Sequence, residues 1–477
     1  MGKGSDMNIA RKREMTRAPG GGAPDLSVES TQGKVDSSIR ALLLASVGSA
    51  FEFYDVVVFI FFASTISKLF FPSTVPDWNR QLESYAIFAA GYVVRPLGGI
   101  VMAHFGDTRG RKNVFALTLL LMALPTLIIG FLPTYATVGV AAPMLLLGMR
   151  LIQGLAIGGE APAAWVFVAE HATEGKIGFP IGLLTSGLTG GILLGSMMSV
   201  SLNVAFTGKQ ILGGAWRIPF LVGGAFALAA AMLRRWFSET AVFRRIRLHA
   251  KVSDELPLRV VLRDHKRAVV SSIAGTWLVT AGVVVVVLMT PSLLQKTFAV
   301  PLSQIQTANL AGAAALSLST VLIGLASDRF GVRKIAVPFV LLLITATYAL
   351  YLGAQRTPSA LLPLYLLAGL GAGVTALIPI AMVKMFPPAV RLTGVSFSYN
   401  IAYAVFGGIT PVLVARLAHI NPFGPAHFIA CVGAVGLLGI LFAPIASEAS
   451  AEPHVLQIAR GSMGIEPASE PWESSMR

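Results

Sequence analysis

The chain has 477 residues, 55% of them hydrophobic and only 13% charged, with a formal net charge of +14 and a mean hydropathy of +0.72. A water-soluble protein of that composition would expose too much apolar surface, so a lipid bilayer is the expected solvent. The positive charge does not point to nucleic acid, because it falls between apolar runs, as loop charge does in a membrane protein.

Residues 1–38 are polar and basic (Lys3, Arg11, Lys12, Arg13, Arg17) and lack the apolar core of a cleaved signal peptide. They are expected to form a disordered cytoplasmic tail. A spanning helix needs about 20 mostly apolar residues. Runs of that kind fall near 41–66, 84–104, 113–132, 139–167, 178–204 and 215–237, then near 268–295, 303–326, 335–354, 360–386, 393–416 and 424–446. The expected fold is therefore all-α and integral to the membrane, with twelve transmembrane helices in two six-helix halves, 39–237 and 268–446. A cytoplasmic linker, 238–267, joins the halves, and its Leu256, Val260 and Val261 suit an amphipathic helix at the membrane surface. Residues 447–477 form a second cytoplasmic tail.

Loop charge fixes the expected orientation. Arg109, Arg111 and Lys112 follow span two, Arg244 to Arg267 separate spans six and seven, and Arg329, Arg333 and Lys334 follow span eight. The alternate loops are nearly bare of charge, which puts both termini in the cytoplasm of a multi-pass protein of the cell (inner) membrane. Cys431 is the only cysteine; it excludes an intrachain disulfide, and its apolar setting reads as packing.

A short phrase occurs twice. The first copy runs from Ala103 through Asp107, Thr108, Arg109, Gly110, Arg111 and Lys112. The second runs from Gly324 through Asp328, Arg329, Gly331, Val332, Arg333 and Lys334. The two aspartates stand 221 positions apart, the period of two homologous halves. Both copies are expected to be latches at helix ends that stabilise one access state, or else to anchor the loops by their positive charge.

Ionisable groups within spans are costly and call for a partner or a task. Glu52 and Asp55 stand three apart on one face of span one, where two carboxylates cannot both ionise cheaply, so they are expected either to carry a proton or, for one of them, to pair with an arginine that holds the helices together. Arg95, before Pro96 in span two, could hold a carboxylate or pair with an acid of span one or span four. Span four carries Arg150, Gln153 and Glu160 beside the cluster Gly154, Gly158 and Gly159. Arg150 suits a proton relay or gate, and Glu160 lies about 15 Å further along the helix, beyond contact with it. Tyr399, Asn400 and Tyr403 in span eleven could line a cavity or pack in the core. His104 reads as structural, and the glycines of span five (Gly182, Gly187, Gly191, Gly195) read as packing seams. No phosphate-cradling loop, catalytic triad or metal spacing occurs, so neither an enzyme nor a cofactor is expected.

The repeated phrase resembles the signature of the major facilitator superfamily. Phe51 to Asp55, Arg95 to Gly99, Arg150 to Glu160, Trp216 to Leu221 and Arg391 to Gly408 are similar to motifs of one branch, the metabolite:proton symporters. Ala103, Thr108 and Val332 depart from the signature, which bears on gating more than on substrate. The resemblance, over residues 40–446, implies proton-coupled uptake of a carboxylate or zwitterion by a monomer. With that expectation, proton coupling is placed on Glu52, Asp55, Arg150 and Glu160, and substrate contact on Tyr54, Arg95, Gln153, Tyr399, Asn400 and Tyr403. Efflux by antiport and a transporter-like metabolite sensor are the alternatives.

Overall fold

The computed structural model describes residues 42–43, 46–51, 53–109, 111–172, 176–234, 256–388 and 390–445. Of 103–109 and 111–116 it describes only the backbone. Glu52, Gly110, both tails and most of the linker lie outside the described residues. All regular structure among the described residues is helical. Among the described residues, nine helices are long and apolar enough to cross a membrane: α2 (Asp77–Met102), α4 (Ala141–Glu170), α5 (Gly178–Ala205), α7 (Lys266–Phe298), α8 (Ser303–Phe330), α9 (Val332–Arg356), α10 (Pro358–Met385), α11 (Arg391–Ile420) and α12 (Gly424–Leu441). Three more complete the set. In α1, Ser46–Phe61 continues through a 60° bend into Ala63–Phe70. The others are α3 (Arg111–Phe131) and α6 (Ile218–Arg234). These twelve coincide with the twelve apolar runs.

The outer faces carry Leu120, Leu124, Val270, Leu318, Leu322, Leu341 and Val412, all exposed, while Thr126, Gln153, Thr276, Thr320 and Asn400 are buried. An apolar exterior around polar interior groups is what hydrocarbon as solvent selects. Cys431 is exposed on α12, so the expectation that it packs inside is corrected: the helix turns Ile429 and Val432 into the core and Cys431 outward.

Two boundaries differ from the sequence reading. Helix α2 begins at Asp77, seven residues before the apolar run, because Pro76 precedes it and Asp77 occupies the first turn, where a negative charge meets the positive end of the helix. Asp77 also pairs with Arg80 one turn on. At the other boundary, Lys266 and Arg267 open α7 rather than closing the linker. Just before them, Pro257–Asp264 forms a short helix with Pro at its start. It buries Val261 fully and leaves Leu256 75% exposed.

Several spans are interrupted near their middles. Helix α2 breaks at Val94, α4 at Gly158–Gly159, and α10 tightens over Gly373–Ala376. Helices α7 and α11 widen into π-turns over Gly282–Met289 and Tyr403–Gly407. Widened turns free backbone groups and cluster at functional sites. The halves meet along α5–α8 and α2–α11, and α2, α4 and α11 carry both their interruptions and the residues described next.

Candidate functional site

Asp55 lies on α1 within the stretch Tyr54–Phe59, every residue of which is buried, and is itself 2% exposed. A carboxylate there needs compensation from hydrogen bonds or charge. Gln153 Nε2 donates to Asp55 Oδ2 at 2.9 Å and to Thr126 Oγ1 at 2.8 Å. From the other end of the amide, Gln153 Oε1 accepts from an Arg150 guanidinium nitrogen at 2.9 Å. Arg150 also lies over the rings of Phe59 (4.5 Å) and Phe88 (5.0 Å). Residues 150 and 153 are one turn apart, so α4 presents both on one face. The result is a chain Arg150–Gln153–Asp55 across α4 and α1, anchored to α3 by Thr126. Asp55 Oδ1 and Arg150 Nε are buried without a hydrogen-bond partner.

A second cluster surrounds Arg95, which is 4% exposed. Its guanidinium lies 4.0 Å from the Tyr92 ring centroid and 5.1 Å from that of Tyr403. Tyr92 stacks on Tyr403 at 5.8 Å, Tyr403 lies 4.5 Å from Tyr399, and Trp165 meets Tyr399 edge-on at 4.9 Å. These rings come from α2 and α4 of one half and α11 of the other. Arg95 Nε and Trp165 Nε1 are buried and unpartnered. Planar guanidinium stacked on aromatic faces is weakly hydrated and keeps its N–H groups free for an anion.

Asn400 joins the halves directly. Its Nδ2 donates to the Gly158 carbonyl at the break in α4, and to Ser396 O at 2.9 Å. Its Oδ1 is buried and unpartnered. Tyr54 is turned towards α6, where its hydroxyl donates to the Pro219 carbonyl at 3.0 Å and its ring meets Phe226 edge-on. Glu160 opens the helical segment after the α4 break and is 4% exposed.

At one end of the bundle, Asp328 closes the α5–α8 contact. Its Oδ1 accepts from Gly178 N–H at 2.7 Å and its Oδ2 from Phe179 N–H at 2.8 Å. A carboxylate from one half thus caps the first turn of a helix in the other, where unsatisfied N–H groups and the helix dipole both favour it. Gly331 takes φ 85°, a conformation suited to glycine, and its N–H returns to Ser327 O to end α8. Arg333 donates to Ala443 O at 2.7 Å beyond α12, and Arg329 lies 5.4 Å from the Phe330 ring. Of the first copy of the phrase, Asp107, Arg109, Arg111 and Lys112 have helical backbone only.

Glycines make this contact close. A Cβ on Gly182 would stand 2.7 Å from Thr320 O and 3.1 Å from Gly324 Cα. Further along α5, Gly191 and Gly195 face Ala50, Phe53 and Val57 of α1. The seam therefore serves both halves, the first turns against α8 and the rest against α1.

The structure brings Asp55, Gln153 and Arg150 together and groups Arg95 with Tyr399 and Tyr403, with Tyr54 apart from both sets. The sequence reading missed Thr126, Tyr92 and Trp165. Tyr92 stands one helical turn before Arg95 and could have been found from that spacing; Thr126 and Trp165 carried no comparable signal.

The model of the family described as "Sugar (and other) transporter" matches residues 41–259. The citrate-proton symporter of Klebsiella pneumoniae is 30% identical over 422 residues, covering 85% of this chain and 91% of that protein. The proline/betaine transporter of Escherichia coli K12 is 30% identical over 419 residues, covering 84% and 82%. Among solved structures, the proton:xylose symporter XylE bound to 6-bromo-6-deoxy-D-glucose superposes with a TM-score of 0.71 at 16% identity, covering 86% of this chain and 95% of that one. With its twelve helices and its repeated phrase, the chain belongs to the major facilitator superfamily, within the sugar (and other) transporter family and its metabolite:proton symporter branch.

Proposed function

We propose that the protein is a secondary active transporter that takes up one small metabolite together with a proton, by rocking of 39–237 against 268–446 about the linker 238–267. The observation that carries this reading is the buried carboxylate of Asp55, held by a neutral amide with one oxygen bare. An intramembrane acid held in that way is suited to bind and release a proton. Relatives described as a citrate-proton symporter and a proline/betaine transporter support it. Glu52, Arg150 and Glu160 are proposed to act with Asp55.

The substrate is proposed to bind at Arg95, with its carboxylate on the free guanidinium N–H groups and its body against Tyr92, Tyr399 and Tyr403. Asn400 stands at the same inter-half boundary. A guanidinium set among aromatic rings suits one carboxylate on an apolar or cationic body, since ring faces also attract ligand cations. Asp328 with Arg329, Gly331 and Arg333, and Asp107 with Arg109, Gly110, Arg111 and Lys112, are proposed as the paired gates. The loop charges favour a cytoplasmic position for these gates and for both termini, so the conformer described would be closed towards the cytoplasm. We take the working unit to be a monomer.

The test is uptake into proteoliposomes under an imposed inward proton gradient, with labelled citrate, proline and glycine betaine. Accumulation abolished by a protonophore, and lost in Asp55→Asn, is expected. Gradient-driven export of a preloaded solute would overturn the uptake reading in favour of antiport.

A further inference from the structure

Gln153 occupies a position that substrate contact does not explain. It is 1% exposed, and its amide is engaged at both ends within the protein. Arg150 has only donors to offer, so the atom facing it must be the amide oxygen. The ionised Asp55 has only acceptors, so the atom facing it must be the amide nitrogen. The two ends independently demand the same orientation, and Thr126 Oγ1, which donates its own hydrogen to Met122 O at 2.9 Å, takes the second amide hydrogen. The amide cannot turn over without placing donor against donor at Arg150 and acceptor against acceptor at Asp55.

We propose that Gln153 is a positioning residue for proton coupling: a neutral spacer that holds Arg150 off Asp55 and reserves Asp55 Oδ1 as the atom that takes the proton. The proposal rests on Asp55 being the coupling acid. Among the described residues no ion pair within 4 Å joins Arg150 to Asp55; the path between them runs through the amide. A bidentate pair with a guanidinium would hold the carboxylate ionised and oppose proton uptake. An amide supplies one hydrogen bond without a full charge.

Oδ2 is committed to Gln153 Nε2 and Oδ1 is bare. A hydronium ion reaching the site transfers its proton to a lone pair of Oδ1, giving a neutral carboxyl and water. Oδ2 remains an acceptor for Gln153 in the protonated state, so the amide keeps its place throughout the cycle. Release is the reverse transfer to water on the other side. The groups that face Asp55 are Arg150 and Gln153 from α4, Thr126 from α3 and Tyr54 beside it on α1, whose hydroxyl is used by Pro219 O.

Two variants isolate the role. Gln153→Met keeps length and removes every hydrogen bond. Gln153→Glu keeps an acceptor for Arg150 but has no N–H for the ionised Asp55. Each is reconstituted beside the wild type and Asp55→Asn, using whichever of labelled citrate, proline and glycine betaine the wild-type vesicles accumulate. Gradient-driven accumulation and counterflow, the exchange of labelled for unlabelled solute without net proton movement, are both measured. Both Gln153 variants are expected to lose accumulation at least tenfold, to retain counterflow within about threefold, and in any residual uptake to show a displaced pH dependence. Retained counterflow also shows that the variants fold and bind substrate. Wild-type accumulation in either variant, or counterflow falling in step with accumulation, overturns the proposal. Normal accumulation by Asp55→Asn would instead overturn the reading of Asp55 on which it rests.

Discussion

Removing the Asp328 carboxylate is expected to unlatch one end of the bundle without touching the central clusters. Asp328→Ala deletes two charged hydrogen bonds, at 2.7 and 2.8 Å, to the backbone of Gly178 and Phe179 in the opposite half. When the halves separate at this end, water can satisfy the same N–H groups, so only the difference between the two states counts. Hydrogen bonds to a charged partner contribute about 1.5–3 kcal/mol each when buried, and a helix cap about 0.5–2 kcal/mol. Asp328 is only partly buried, which argues for about 2 kcal/mol in total. That is roughly a 30-fold shift in the equilibrium between closed and open. A population about 95% closed would become about 40% closed. Spin labels at Lys176→Cys and Lys334→Cys, both exposed positions near this contact, in a Cys431→Ser background, would report the two states by pulsed dipolar spectroscopy. A second, longer distance population of comparable weight is expected in Asp328→Ala. An unchanged distribution would refute the inference that this cap biases the access equilibrium.

Two further outcomes follow from the same geometry. Gly182→Val places a side chain where Thr320 O already stands 2.7 Å from a Cβ position; overpacking of about 1–3 kcal/mol should open the same label pair with Asp328 intact, and a closed distribution would contradict that packing argument. Arg95→Lys keeps the charge but loses the planar stack on Tyr92 and the forked donors; the KM for uptake should rise at least tenfold with the accumulation ratio conserved, whereas lost accumulation at unchanged KM would move Arg95 from the substrate to the proton.

The fold was legible because hydrocarbon imposes a strict length and polarity on each span, and the twelve runs follow from that constraint alone. Boundaries such as Asp77 were less legible, since a helix can extend beyond the membrane on its own capping chemistry. The repeated phrase pointed to Asp328, but its partners at Gly178 and Phe179 are backbone groups, which carry no side-chain signal. Asp55, Arg150 and Arg95 stood out because charge within a span is costly. Gln153 was read as a substrate contact and Thr126 was not singled out at all, because an uncharged polar residue in a span is common and its role depends on what faces it. Tyr54 was grouped with the substrate by its neighbours in the sequence, yet its hydroxyl points to Pro219; a helix sends adjacent residues to different faces.

Symport requires proton and solute to move together in one direction. The most direct measurement is external pH in a weakly buffered suspension of wild-type proteoliposomes, with no gradient imposed, on addition of the solute they accumulate. Symport predicts alkalinisation of the medium that requires the solute and is absent in Asp55→Asn. Acidification of the medium, or solute entry with no proton movement, would contradict it.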